Sequence, residues 1–295
     1  MENQNFALGV GAAIAVIFIW SGFIVFSRMG VASALTPFDI SALRFMVAGA
    51  ITAPFLWRWW PRHLNPWVIA MMVLCGPGSV YAIMMYFGLQ SAPAAYAGVF
   101  ANGTLPIFTM LIAAWAAREV PGPRRAIAVG LIVLGGVMVA WRGLDAVGPG
   151  VAEGMVLFVA ASAILSIYIY ALGRWKVSPY QALAIINVPN MLLYLPLWWF
   201  ALPSGLAEAS WFDILFQAAF QGIGPGFLAV ILFTLAALHL GATPTAGFSA
   251  AVPAGAALLA IPVLGETPTA FEWAGIGCVT LGLIVMVFRR RLKAA

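Results

Sequence analysis

Gly76-Pro77-Gly78 and Gly224-Pro225-Gly226 each sit near the middle of an apolar run long enough to cross a membrane as one helix. Proline removes an amide donor and its ring clashes with the preceding turn, while glycine permits close backbone approach. In hydrocarbon such an interruption is tolerated only where protein or a water-filled cavity satisfies the freed backbone groups. Matched Gly/Pro interruptions in corresponding spans of two halves point to a carrier's substrate site, with Gly76, Pro77, Gly78, Gly224, Pro225 and Gly226 as hinges. Glycine and proline are ordinary in membrane helices, so the pairing carries this argument and neither tripeptide does so alone.

The rest of the chain agrees with a membrane setting. Of its 295 residues 64% are hydrophobic and 8% charged, a balance outside the range of soluble domains. Runs of about 20 apolar residues, enough to cross a hydrocarbon core of about 30 Å, fall at 7–29, 37–60, 66–90, 93–117, 123–142, 149–173, 178–202, 210–238, 242–264 and 268–289. The sequence predicts an all-α membrane protein with ten transmembrane helices and short connections. Residues 1–5 carry no positive charge and the first run lacks a small-residue cleavage site, so the first helix is expected to be retained. With both termini in the cytoplasm, that side receives Arg58, Arg62, Arg118, Arg124, Arg125, Arg174, Lys176, Arg289, Arg290, Arg291 and Lys293, and the opposite side only Arg28 and Arg142. The bias predicts an N-in, C-in orientation and accounts for the net charge of +5 without nucleic acid as a partner.

The chain also repeats itself. A shift of 147 residues superposes Pro106 on Pro253, Ala113 on Ala260, Glu119 on Glu266, Pro121 on Pro268, Gly130 on Gly277, Gly135 on Gly282 and Arg142 on Arg289, and the two hinges match with a shift of 148. This predicts two five-helix units, 1–145 and 146–295. Because five is odd, the second unit enters from the opposite side, giving an inverted repeat with its site between the halves at mid-depth.

Trp20-Ser21-Gly22, Pro37 followed by Leu43-Arg44-Phe45, and Pro106 with Glu119 thirteen residues later resemble the EamA-type domain of the drug/metabolite transporter superfamily. Pro253 and Glu266 repeat the last spacing. Within that superfamily the chain is similar to bacterial aromatic amino acid exporters. The resemblance implies ten helices, of which the first, third, fourth, sixth, eighth and ninth line a central cavity. It also implies a bacterial cytoplasmic (inner) membrane and outward transport by alternating access. A broad-specificity drug/metabolite exporter of the same fold is the alternative. The second copy departs from the pattern, with Ala161-Ser162-Ala163 roughly where the Trp-Ser-Gly run falls and Ile186-Asn187 where an arginine is expected.

The candidate substrate-binding residues are Trp20, Ser79, Tyr81, Tyr96, Asn102, Tyr168, Asn187, Gln221 and Ser249, which are polar or amphipathic and fall within the spans. Packing between helices is the competing account for each. Asn102 and Ser249 are equivalent under the shift, each four residues before its half's shared proline. Arg44, the one charge deep within a span, is read as structural, and Glu119 and Glu266 as caps or ties at span ends. Trp57, Trp59, Trp60, Trp67, Trp198 and Trp199 are read as interfacial belt residues.

None of the nine Asp and Glu residues falls at mid-depth, which leaves no proton relay and no cage for sodium. Amides, hydroxyls and aromatic faces suit a neutral or zwitterionic small molecule with an aromatic or large apolar side chain, moved without obligatory ion coupling. Cys75 and Cys278 have no His or Cys at ligand spacing, so neither metal nor cofactor is expected. His239 is far from Ser79 and no HExxH is present, which argues against an intramembrane enzyme.

Overall fold

The computed structural model describes residues 2–146, 150–240, 245 and 248–287. Arg289, Arg290, Arg291 and Lys293 of the expected cytoplasmic cluster, and the side chain of Arg142, lie outside the described residues. Among the described residues the chain is helical throughout, with no strand. The elements are α1 (Glu2–Val31), α2 (Pro37–Thr52), α3 (Pro66–Cys75), α4 (Ser79–Ser91), α5 (Leu105–Ala117), α6 (Pro123–Ala146), α7 (Gly150–Arg174), α8 (Pro179–Ala201), α9 (Trp211–Ile223), α10 (Ala229–Leu240), α11 (Val252–Leu264) and α12 (Ala270–Val287).

Counting helices that run on through a break or a turn, nine described segments are long and apolar enough to cross a membrane: Phe6–Val31, Pro37–Trp59, Pro66–Ser91, Ala94–Ala117, Pro123–Trp141, Gly150–Arg174, Pro179–Ala201, Trp211–Leu240 and Ala270–Val287. The shorter apolar helix Val252–Leu264 occupies most of the run expected at 242–264, whose residues 242–244, 246 and 247 lie outside the described set. Large apolar side chains point outward along these helices, among them Phe18, Trp115, Leu193, Phe200 and Leu238, as a lipid-facing surface requires.

The helix ends are written locally. Thr36 caps α2 in a reciprocal box with Asp39, and Ser178 caps α8 in the same way with Gln181, each followed by proline in the first turn. Asn65 caps α3 through the Trp67 amide, and Ser210 caps α9 through the Asp213 amide. Arg118 ends α5 at φ 55°, and Gly265 ends α11 at φ 69°; each is followed directly by a glutamate.

Helix packing relies on small residues. α6 and α12 meet backbone to backbone: a Cβ added at Gly275 would lie 2.7 Å from the Gly135 carbonyl, and one at Gly282 would lie 2.8 Å from the Ala128 carbonyl. Around this pair, α2 packs on α8 and α9, α1 on α10 and α11, and α7 on α4 and α5. Trp198 is corrected here. It is 5% exposed rather than an interfacial residue, and its indole N–H donates to Asp39 Oδ1 at 2.9 Å, tying α8 to α2.

The two Gly-Pro-Gly elements differ, against the expectation of two equivalent breaks. At the first, α3 ends at Cys75, Gly76 and Gly78 are extended, and α4 begins at Ser79. At the second the helix passes through as a π turn over Gly224–Leu228, the Ala229 amide donating to the Gly224 carbonyl. A further π turn, Gly98–Gly103, carries Asn102 into α5.

Candidate functional site

The broken segment is held by side chains from two other helices. Arg44 of α2, 3% exposed, donates from Nη2 to the Pro77 carbonyl at 3.2 Å. Its guanidinium lies 5.5 Å from the ring centroids of both Phe23 and Phe45, so the charge rests on aromatic faces. Asn190 of α8 accepts from the Ser79 amide at 2.8 Å and donates to the Ile186 carbonyl at 2.8 Å. Of the backbone groups freed at the break, the Pro77 carbonyl and the Ser79 amide thus find side-chain partners. The glycines are required by this closeness: a Cβ at Gly78 would lie 2.7 Å from Asn190 Nδ2, and at Gly76 it would run into Ile186 and the Met72 carbonyl.

The π turn at Gly224–Leu228 is tied to the same helices. Asn187 of α8 donates to the Gly226 carbonyl at 3.0 Å and to Thr52 Oγ1 of α2 at 3.2 Å. Asn187 and Asn190 lie one turn apart, so α8 holds both Gly-Pro-Gly elements, and α2 supports both from the other side. Gln221 belongs to a neighbouring chain of amides and hydroxyls. It donates to Ser27 Oγ at 2.9 Å and to Gln217 Oε1 at 3.1 Å and accepts from Tyr86 at 3.4 Å, while Gln217 donates to the Phe26 carbonyl at 2.7 Å. Asn187 and Gln221 therefore have their amides engaged by protein groups.

Other candidates are placed differently. Trp20 is partly buried and stacked on Phe233 of α10, centroids 5.5 Å apart. Tyr96 is buried and donates to Glu272 Oε1 at 3.1 Å, at the end of the bundle. Tyr81 and Tyr168 are nearly buried, and neither hydroxyl makes a hydrogen bond among the described residues. The Tyr168 ring abuts Gly76 and Tyr81 lies near Arg44, so both face the break. Ser79 and Ser249 are partly buried.

Asn102 is partly buried in its π turn, and its side chain makes no hydrogen bond among the described residues. Thr104, two residues on, has its hydroxyl 2.9 Å from that of Ser162 on α7. Tyr168 is six residues beyond Ser162, about 9 Å along the helix axis. Ser162 and Tyr168 are both buried but point about 120° apart around α7, so the helix meets the Asn102 turn at one level and the Gly76–Ser79 break at another. The break and the turn carry side chains with spare hydrogen-bonding capacity: the Ser79, Tyr81 and Tyr168 hydroxyls and the Asn102 side-chain amide make no hydrogen bond among the described residues.

The sequence reasoning passed over Asp39, Thr52, Ser27 and Gln217. Asp39 is fully buried and receives the amides of Thr36 and Gly205, at 2.9 and 2.8 Å, besides the Trp198 indole. Its place three residues after Thr36 is the spacing of a capping box, a signal for the cap but not for the long-range partners. An apolar crevice of about 240 Å³ bordered by Phe100, Thr104, Ile132, Gly136 and Val159 opens between the exposed Val133 and Val137, toward lipid rather than toward the polar residues.

The EamA-like transporter family model matches this chain twice, over residues 7–141 and 152–288. The uncharacterized transporter YetK of Bacillus subtilis (strain 168) is 24% identical over 300 residues, an alignment covering 96% of this chain and 87% of that protein. A solved crystal structure with 21% sequence identity superposes with a TM-score of 0.64, covers 96% of both chains and shares the fold.

Proposed function

We propose, from the premise that this chain belongs to the EamA-like transporter family and is a multi-pass membrane transporter, that it exports aromatic or large neutral amino acids by alternating access. The two halves are inverted repeats of five spans, residues 1–145 and 146–295, in a bacterial cytoplasmic membrane with both termini inside. Transport is without obligatory ion coupling.

The observation that carries the substrate class is the set of polar side chains left uncommitted at the break and in the Asn102 turn. Asn102, the Ser79 hydroxyl, Tyr81 and Tyr168 offer uncommitted polar groups beside aromatic rings, with no acidic residue among them. Such a surface fits an ammonium and a carboxylate held by amides, hydroxyls and backbone groups, with an apolar side chain against the rings. Asn187, Gln221 and Arg44 act one layer back, holding the interrupted segments in place.

Support for the inverted halves comes from matched chemistry at matched places. The family model is found twice, the capping boxes at Thr36 and Ser178 recur, and a left-handed residue precedes both Glu119 and Glu266. The packing pairs also: α7 with α4 and α5 mirrors α1 with α10 and α11.

Counterflow into liposomes containing the purified protein tests the reading. Labelled phenylalanine and tryptophan should accumulate against internal unlabelled substrate without an imposed proton or sodium gradient, while cationic drugs should not. Counterflow of the drugs alone would move the substrate to the broad-specificity class.

A further inference from the structure

Arg28 and Glu266 join three separate segments at one end of the bundle. Arg28, in the last turn of α1, places Nε 3.0 Å from Glu266 Oε1 in the loop after α11. It also donates from Nη1 to the Leu89 carbonyl and, at 2.9 Å, to the Gln90 carbonyl at the end of α4. The other Glu266 oxygen accepts the Ala94 amide at 2.8 Å. One ion pair thus fastens the ends of α1 and α11 to the turn between α4 and the following helix. The two side chains are 25% and 24% exposed, so the pair is only partly screened by solvent.

The opposite end holds the matching parts unassembled. Glu119 follows Pro106 by thirteen residues, as Glu266 follows Pro253, and both stand directly after a left-handed residue. Arg174 is in the last turn of α7 as Arg28 is in the last turn of α1. Yet Glu119 and Arg174 are both exposed, and neither side chain makes a hydrogen bond or ion pair among the described residues. Helix packing has the same asymmetry. α1 packs on α4 beside the Arg28 pair and α9 lies closely along α2, whereas α7 makes no comparable contact with α10 and α3 touches α8 only lightly.

We infer that Arg28–Glu266 is one of two alternating latches: the structure is the state closed at that end, and opening it exchanges this pair for Glu119–Arg174 at the other. The inference rests on the proposed inverted halves and adds to them the residues that define each closed state. A pseudo-two-fold in the membrane plane maps each end onto the other, so a device present at one end in one state recurs at the opposite end in the other state. In the second state Arg174 donates to carbonyls at the end of α10, as Arg28 now does at the end of α4, and α7 closes on α10.

The test uses the full chain with Cys75 and Cys278 replaced by serine, in membranes, with short bifunctional thiol reagents. Sidedness is read first: cysteines replacing Arg28 and Glu266 should label from outside, and those replacing Glu119 and Arg174 from inside. Labelling of all four from one side overturns the inverted halves and the latch with them. Next, R28C/E266C and E119C/R174C should each cross-link, and in the four-cysteine protein closing either pair should prevent the other from closing. Both cross-links in one molecule, or an inner pair that never closes, overturns the exchange while leaving the transporter reading standing. A second readout avoids cross-linking: Glu266→Ala should raise external labelling of a cysteine at position 102 a few-fold, and Glu119→Ala should lower it. Unchanged labelling in both single variants also overturns the exchange. None of these readouts needs a substrate, so a failed counterflow experiment does not affect them.

Discussion

Three asparagines in this chain show how much a residue's role depends on what surrounds it. Asn187 and Asn190 are buried with their amides engaged by backbone and side-chain groups of neighbouring helices, whereas Asn102 is partly buried with its amide uncommitted. Asn190→Ala leaves the Ser79 amide without an acceptor inside the protein. A buried donor stranded in this way costs about 1–3 kcal/mol, to be read as a lower melting temperature in detergent. Asn102→Ala strands nothing, so its expected result is the reverse: an unchanged melting temperature with counterflow affinity weakened several-fold, the scale of one lost ligand hydrogen bond of about 1 kcal/mol. Equal stability losses in both variants would return Asn102 to packing. From the sequence Asn102 and Asn187 looked alike, as amides inside apolar spans. A partner 39 residues away in the chain, at Gly226, decides between them.

At the scale of elements, the spans were readable as runs of about 20 apolar residues, and their ends are encoded locally as well. Thr36-Pro37, Asn65-Pro66 and Ser178-Pro179 each place a cap and a first-turn proline where the helix begins. The interruptions were readable as places but not as conformations. The same tripeptide is a break at Gly76–Gly78 and a π turn at Gly224–Leu228, and the difference lies in tertiary partners. Arg44 and Asn190 hold the Pro77 carbonyl and the Ser79 amide at the break, while Asn187 bonds the Gly226 carbonyl of the π turn. Trp198 was misplaced for a similar reason, since its burial depends on Asp39 of α2. This asymmetry predicts unequal effects of restoring an amide at each proline. Pro225→Ala acts on a chain that is already helical and lets the π turn relax toward an α-helix, so turnover should fall with little change in apparent affinity. Pro77→Ala should have the smaller effect, because Arg44 and Asn190 still hold the two ends of the break apart. Counterflow rates for the two variants check this, and a larger loss in Pro77→Ala would contradict it.

At the scale of the whole molecule, the ends of the bundle are unequally fastened. One end carries the Arg28–Glu266 pair and the Asp39 cluster, while Glu119 and Arg174 at the other are exposed. The central claim is that Asn102 belongs to a substrate site open to each side of the membrane in turn. Labelling of a cysteine at position 102 by an impermeant thiol reagent, applied from either side of oriented vesicles in the background lacking Cys75 and Cys278, tests it most directly. The account predicts labelling from both sides, slowed from each by phenylalanine or tryptophan. Labelling confined to one side, or labelling that neither amino acid slows, would contradict it.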